Sequence, residues 1–314
     1  MAEYRAVRKD AGGFLDLCFD VEKATEVTMQ PIDTFGMDAA ILFSDILTVP
    51  LGLGQKVWFE EGEGPKLEAI SALSDLPEFD EQNFLTSLKP VFEAVSSIKA
   101  GLPEDKALIG FCGAPWTVAT YMIEGGSSKN YLAAKSWAYG NPKDFDALID
   151  RLVEASAAYL KAQCKAGAEV LQIFDSWAGA LDQYGQQRWS FEPMAKIAAL
   201  VKRDFPDVKV IAFARHAGVN VAKLCQYDSL DALSLDHTVI LEFARDQLQP
   251  HKVIQGNLDP IAVVAGGEYM LSKAKDICDA WHDGGFIFNL SHGIVPQTPV
   301  KHVADLANFL KSYS

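Results

Sequence analysis

Seven short apolar runs recur along the chain, at 39–43, 107–112, 169–174, 208–214, 232–235, 252–255 and 286–290. They are continuous rather than alternating, which predicts strands covered on both faces. Between them the apolar positions take helical spacing at 81–99, 143–165, 191–204, 239–247 and 269–283. The punctuation agrees. Gly167 stands where a helix needs a C-terminal cap, and Pro206 follows another helix. Thr298 and Pro299 supply a capping hydroxyl and a first-turn proline for a last helix. Strand–helix repetition means parallel strands with right-handed crossovers, in an open doubly wound sheet or a closed barrel. The open sheet commonly carries G-x-G-x-x-G at its first turn, and this chain has none. Instead, polar residues end nearly every strand: Ser44-Asp45, Asp175-Ser176, Arg215-His216, Asp236-His237, Asn257 with Asp259, and Ser291-His292. A ring of polar residues at one end of the strands is the pattern of a (β/α)8 TIM-type barrel. The expected architecture is one such α/β barrel domain over 1–314, with one strand short of the eight that closure needs.

Composition narrows the function classes. With 49% hydrophobic and 22% charged residues, the 314-residue chain is neither disordered nor a coiled coil. Its formal charge of −14 argues against nucleic-acid binding, which depends on neutralising phosphates. A locally basic pocket for an anionic small molecule remains open. Five dispersed cysteines (18, 112, 164, 225 and 278) without a C-x-x-C read as reduced thiols. The first ten residues are charged and show no signal peptide, and no run approaches ~20 apolar residues. A cytoplasmic protein without membrane attachment is expected.

The chemistry gathers at the predicted mouth. Asp45 ends an apolar strand, either capping the next turn or standing desolvated to meet a cationic or N–H-bearing ligand. The segment Gly110–Ser127 is a strand end entering a helix, where Tyr121 either packs or aims its hydroxyl over the mouth. Gly125-Gly126-Ser127 lacks the lysine of a phosphate loop. Ser176 has neither a nucleophile elbow nor an evident base, which makes it a hydrogen-bond donor rather than an attacker. His292 beside Gly293 is the better functional histidine; His216 and His237 sit in analogous but less distinctive places. No familiar zinc spacing is present, and no strand end carries a lysine for Schiff-base chemistry. The residues alone predict a barrel binding a polar organic molecule through Asp45, Tyr121, Ser176 and His292.

Five segments carry a resemblance. Phe-Ser-Asp-Ile-Leu at 43–47, Gly-Ala-Pro-Trp-Thr with Tyr-Met-Ile-Glu-Gly-Gly at 113–126, and Phe-Asp-Ser-Trp-Ala-Gly at 174–179 resemble the uroporphyrinogen decarboxylase family. So do Gln-Gly-Asn-Leu-Asp-Pro at 255–260 and Asn-Leu-Ser-His-Gly-Ile at 289–294. The resemblance implies a (β/α)8 barrel, usually a homodimer, needing neither metal nor organic cofactor. It implies removal of CO2 from the four acetate arms of uroporphyrinogen, giving coproporphyrinogen in tetrapyrrole synthesis. It also implies roles: Asp45 as the central carboxylate facing the pyrrole N–H groups, and Tyr121, Ser176 and His292 as contacts for the acid side chains. Phe43 and Phe174 would wall the macrocycle, and Arg8 matches a family arginine. The family's Arg-Gln-Ala-Gly-Arg strand precedes the segment seen here as Tyr4-Arg5-Ala6-Val7-Arg8. The expectation is therefore an amino-terminally shortened member, lacking the first strand and two substrate-facing arginines. Two alternatives stand beside it: a methyltransferase-type barrel of the same superfamily, or an inactive tetrapyrrole-binding remnant.

Overall fold

The computed structural model describes residues 1–60 and 64–313. Seven strands form one parallel sheet in the order β1 (Ala39–Ile41), β4 (Ala107–Gly113), β5 (Val170–Asp175), β6 (Lys209–Ala214), β7 (Ala232–Ser234), β8 (Val253–Leu258) and β9 (Phe286–Leu290). A separate antiparallel hairpin, β2 (Val57–Glu60) with β3 (Gly64–Leu67), reaches Gly126 through Lys66. The sheet curls like a barrel wall. Gln255 on β8 donates to Gln172 on β5 at 3.3 Å and to Ser234 on β7 at 3.1 Å, although two strands separate β8 from β5. These buried amides satisfy one another inside an otherwise apolar core.

Helices cover the outside. The longest, Pro142–Ala166, begins at Asn141, whose side chain accepts from the Asp144 amide, and has proline in its first turn. Phe145, Leu148, Ile149 and Leu152 line its buried face at helical spacing, and Gly167 ends it at φ 122°. The run expected as one helix at 81–99 is two, Glu81–Ser87 and Lys89–Gly101, because Pro90 withholds the amide that continuity needs. The 239–247 pattern is one continuous helical stretch, Leu241–Phe243 running without a break into a wider π-type turn at Ala244–Leu248. Thr298 does not cap the last helix. Pro299 takes the cap position of Val300–Ser312, and the Thr298 hydroxyl is buried without a partner among the described residues.

Coverage on both faces holds for β4 to β8 and fails at the ends of the sheet. Ile41 on β1 and Ile287 on β9 are 44% and 42% exposed. Among the described residues, no strand pairs with the outer edge of either. The ring of helices nevertheless closes there. Val300–Ser312 packs on Val21–Phe35, and the Lys311 ammonium donates to the Phe35 carbonyl at 2.7 Å. Gly36 makes this possible: it sits at φ 62°, where a β-carbon would lie 2.6 Å from the lysine nitrogen. The helices Ala2–Ala11, Phe14–Phe19 and Val21–Phe35 precede the first strand. Among the described residues, no helix is long and apolar enough to cross a membrane.

Candidate active site

Beyond β1 the Leu42 amide still donates to the Ile109 carbonyl of β4 at 3.0 Å, and the next residues turn to other partners. Phe43, whose amide faces the outer edge of β1, donates to the Thr28 hydroxyl at 3.0 Å. Ser44 shares a hydrogen bond with buried Tyr159 at 3.3 Å. Asp45 then does cap a turn: Oδ1 accepts the Leu47 amide at 2.8 Å, and its carbonyl accepts the Thr48 hydroxyl at 2.8 Å. Its Oδ2 engages no protein group among the described residues. Burial pushes the carboxyl up to about 6, against the single Leu47 amide that favours the anion. This is a carboxylate short of donors.

Tyr121 projects from Pro115–Glu124 and stacks on Trp177, with ring centroids 4.1 Å apart. Burial, and after it the charge of Asp45, pushes its hydroxyl up to about 12. It is therefore a fixed donor beside the aspartate. Trp177 is held in turn: its carbonyl accepts the Trp116 indole at 3.0 Å and its amide donates to Thr117 at 3.1 Å. Tyr131 packs on its other flank at 5.4 Å.

Asp175 ends β5 and is fully buried. Thr117 donates to its Oδ1 at 2.6 Å. Its Oδ2 has no hydrogen bond, although the Ser190 hydroxyl stands near enough to favour the anion. Burial outweighs these groups and raises the carboxyl to about 6. The neighbouring Ser176 is half-buried, and its hydroxyl makes no hydrogen bond among the described residues. No histidine or carboxylate hydrogen-bonds to it among the described residues.

Aromatic contacts tie the remaining candidates together. The Phe174 ring meets Phe213 at 6.0 Å, and Phe213 meets the His292 ring at 6.2 Å. Burial first, then the charges of Arg215 and His216, hold His292 below the usual histidine range, leaving a neutral imidazole at neutral pH. On the opposite side, Phe14 contacts Phe43 at 5.5 Å and carries the exposed Arg8 guanidinium 5.5 Å above its ring. Asp45 acts on Tyr121 through its charge, Phe174 reaches His292 through Phe213, and Arg8 reaches Phe43 through Phe14. Ser176 is joined to none of them by a hydrogen bond. Sequence reasoning assigned no role to Trp177, Tyr131, Phe14 or Arg215. Arg215 stood in the polar strand-end ring, and that position was its signal. No group of three or more His, Cys, Asp or Glu among the described residues is arranged to hold a metal ion.

The uroporphyrinogen decarboxylase (URO-D) family matches residues 1–313. The chain is 47% identical over 312 residues to the uroporphyrinogen decarboxylase of Rhodospirillum rubrum, covering 99% of this chain and 90% of that protein. It is 45% identical over 312 residues to the protein of that name from Agrobacterium fabrum, with the same coverage. Among solved structures, a methyltransferase from Methanosarcina mazei superposes with a TM-score of 0.79 at 17% identity, over 98% of this chain and 90% of that one. A B12-independent methionine synthase from a Shewanella species gives 0.62 at 9% identity, over 93% and 85%. At such identities these two describe the shared barrel-type fold alone. The sequence matches run almost from end to end, and the chain belongs to the uroporphyrinogen decarboxylase family.

Proposed function

We infer that the chain is a carboxy-lyase that converts uroporphyrinogen III to coproporphyrinogen III by removing CO2 from its four acetate arms, with Asp45 at the centre of the site. The observation that carries this reading is the Asp45 carboxylate, half-buried with a single amide donor, whose charge also acts on the Tyr121 hydroxyl. Four pyrrole N–H groups converging on it supply the hydrogen bonds it lacks and draw its pKa back down.

The chemistry needs an electron sink, and the substrate brings one. A proton added at the pyrrole α-carbon, next to the carbon that bears the acetate arm, leaves the ring cationic and conjugated to that arm. The bond between the arm's methylene and its carboxylate then breaks, and its electron pair enters the ring as CO2 departs. A second proton makes the methylene a methyl, and the ring loses its first. One proton is consumed per CO2 released. The Asp45 anion stabilises the cationic ring from a fixed position, a contribution that needs no reorganisation during the step. Tyr121, Ser176 and neutral His292 hydrogen-bond acid side chains, Phe43 and Phe174 flank the macrocycle, and Arg8 adds positive charge near its edge. Neither metal nor organic cofactor is required by this route.

The same reading includes one barrel domain, a cytoplasmic location and a homodimer. Supporting the dimer, Tyr184, Val219, Ile240, Ile261 and Ile294 are each more than half exposed, on the segments that follow β5, β6, β7, β8 and β9. A rim of apolar side chains around one face is suited to self-association. The test of the function is an anaerobic assay of coproporphyrinogen formation from uroporphyrinogen III. Turnover that survives exhaustive chelation supports the reading. Binding without turnover marks an inactive remnant, and activity lost on chelation and rescued by zinc points to methyltransferase-type chemistry.

A further inference from the structure

We propose that Arg215, together with His237, forms a receiving site for the substrate's acid side chains on the β6–β9 side of the mouth. This rests on the reading of the substrate as an octa-acid tetrapyrrole and adds residues to which no role has been given above.

Arg215 directly follows β6, and its backbone is clamped by the β5 loop. Its amide donates to the Asp175 carbonyl at 3.0 Å, and its carbonyl accepts the Gly179 amide at 2.9 Å. Gly179 must be glycine for this approach, since a β-carbon there would lie 2.5 Å from that of His216. The Arg215 side chain is half-buried, and no carboxylate lies within ion-pair distance of it among the described residues. Its charge acts on both Tyr131 and His292. A half-buried cation without a counter-ion is costly, and an anionic ligand relieves that cost.

The carboxylate that this neighbourhood offers is already engaged. Asp236 accepts the His216 amide on Oδ2 at 2.6 Å, and its Oδ1 takes both the Thr238 amide at 2.9 Å and the Thr238 hydroxyl. To give that amide, His216 adopts φ 57°, a left-handed conformation uncommon outside glycine. Its ring stands edge-on to His237 at 6.3 Å. The His237 ring is fixed by Ser291, which is 2% exposed and shares a 3.0 Å hydrogen bond with Nδ1. Nε2 of His237 has no protein partner among the described residues and lies on an exposed side chain. This sector of the mouth therefore presents a guanidinium and three imidazoles beside the saturated carboxylate of Asp236. The Asp45 sector presents an anion. A macrocycle with N–H groups at its centre and carboxylates at its periphery matches that division, and a guanidinium pairs with a carboxylate bidentately.

The experiment measures steady-state decarboxylation of uroporphyrinogen III and binding of uroporphyrin III, followed by fluorescence quenching at several KCl concentrations. Arg215→Gln is expected to raise KM and Kd about tenfold, the scale of one lost charge-assisted hydrogen-bonding pair, with kcat changed less than about threefold. It should also flatten the salt dependence of Kd. Arg215→Lys should restore most of the affinity, and His237→Gln should raise KM about threefold. If Arg215→Gln does not fold, Arg215→Met serves in its place. Unchanged KM, Kd and salt slope in a folded variant would overturn the proposal. So would a loss confined to kcat. If the unaltered chain neither binds nor turns over the tetrapyrrole, the functional reading itself fails and the subsite falls with it.

Discussion

Asp45 and Asp175 stand at the ends of two strands of the same sheet, and burial raises both carboxyls to about 6. Their surroundings differ in what faces the second oxygen. Asp175 is sealed: Thr117 holds one oxygen, and the other is closed off beside Ser190. The Thr117 hydroxyl that serves it also receives the Trp177 amide, so this carboxylate fixes the loop carrying Ser176 and Trp177. Asp45 keeps one oxygen for its own turn and leaves the other unengaged. A raised carboxyl at a strand end is therefore not by itself a functional signal. The discriminating feature is an oxygen that the protein does not use but a ligand can reach.

The sharpest break of this comparison is Asp45→Asn against Asp175→Asn. The first is expected to lower kcat about 10²–10³-fold, the scale for removing one preorganised electrostatic group. The second should leave kcat within about threefold, because an amide oxygen still accepts from Thr117. Asp45→Asn should also raise the melting temperature at pH 7, since it removes a charge that the fold desolvates. Equal kcat losses in the two variants would erase the distinction.

Next in size is Thr117→Val. Losing the donor to a buried carboxylate costs about 1–3 kcal/mol, read as a lower melting temperature. The pH dependence of stability follows with a definite sign. Both folded carboxyls sit above the ordinary value of 3.8, so the native state keeps its protons where the unfolded chain has released them. Their contribution is most favourable below about pH 4 and is lost as pH rises to about 6. Between those limits, the Asp45→Asn/Asp175→Asn double variant should show a melting temperature that falls less with pH than the parent's. The smallest effect belongs to Tyr121→Phe. With its hydroxyl raised to about 12, this residue only donates a hydrogen bond, so a KM increase of about threefold is expected, with no change in the pH–rate profile below pH 9.

The strands and the ring of polar strand ends were legible because parallel strands in a wrapped sheet read as unbroken apolar runs. The end of β1 was not. Its run continues to Phe43, whose amide is taken on the open edge by the Thr28 hydroxyl, on a helix the sequence pattern did not disclose. That helix, Val21–Phe35, carries Pro31 in its interior, a residue that ordinarily argues against one. Its buried face, Ala24, Val27, Thr28, Ile32 and Phe35, includes a threonine that turns its hydroxyl to the Ala24 carbonyl. Asp45 and His292 stood out in the sequence as polar residues after strands, and Tyr121 as a residue of the helix that follows β4. The stacking of Tyr121 on Trp177 and the clamping of Arg215 by the β5 loop depend on partners about 55 and 40 residues away, beyond any local pattern.

The contact between Lys311 and the Phe35 carbonyl joins residues 276 positions apart. Closing so long a loop carries a large entropic cost before any contact repays it. During synthesis at about 5–20 residues per second, the carbonyl is made some tens of seconds before its lysine. The nascent chain must hold its curled sheet together without that clasp until Lys311 has been made. Lys311→Met would then raise the unfolding rate and leave the folding rate nearly unchanged, as expected for a contact made after the folding barrier.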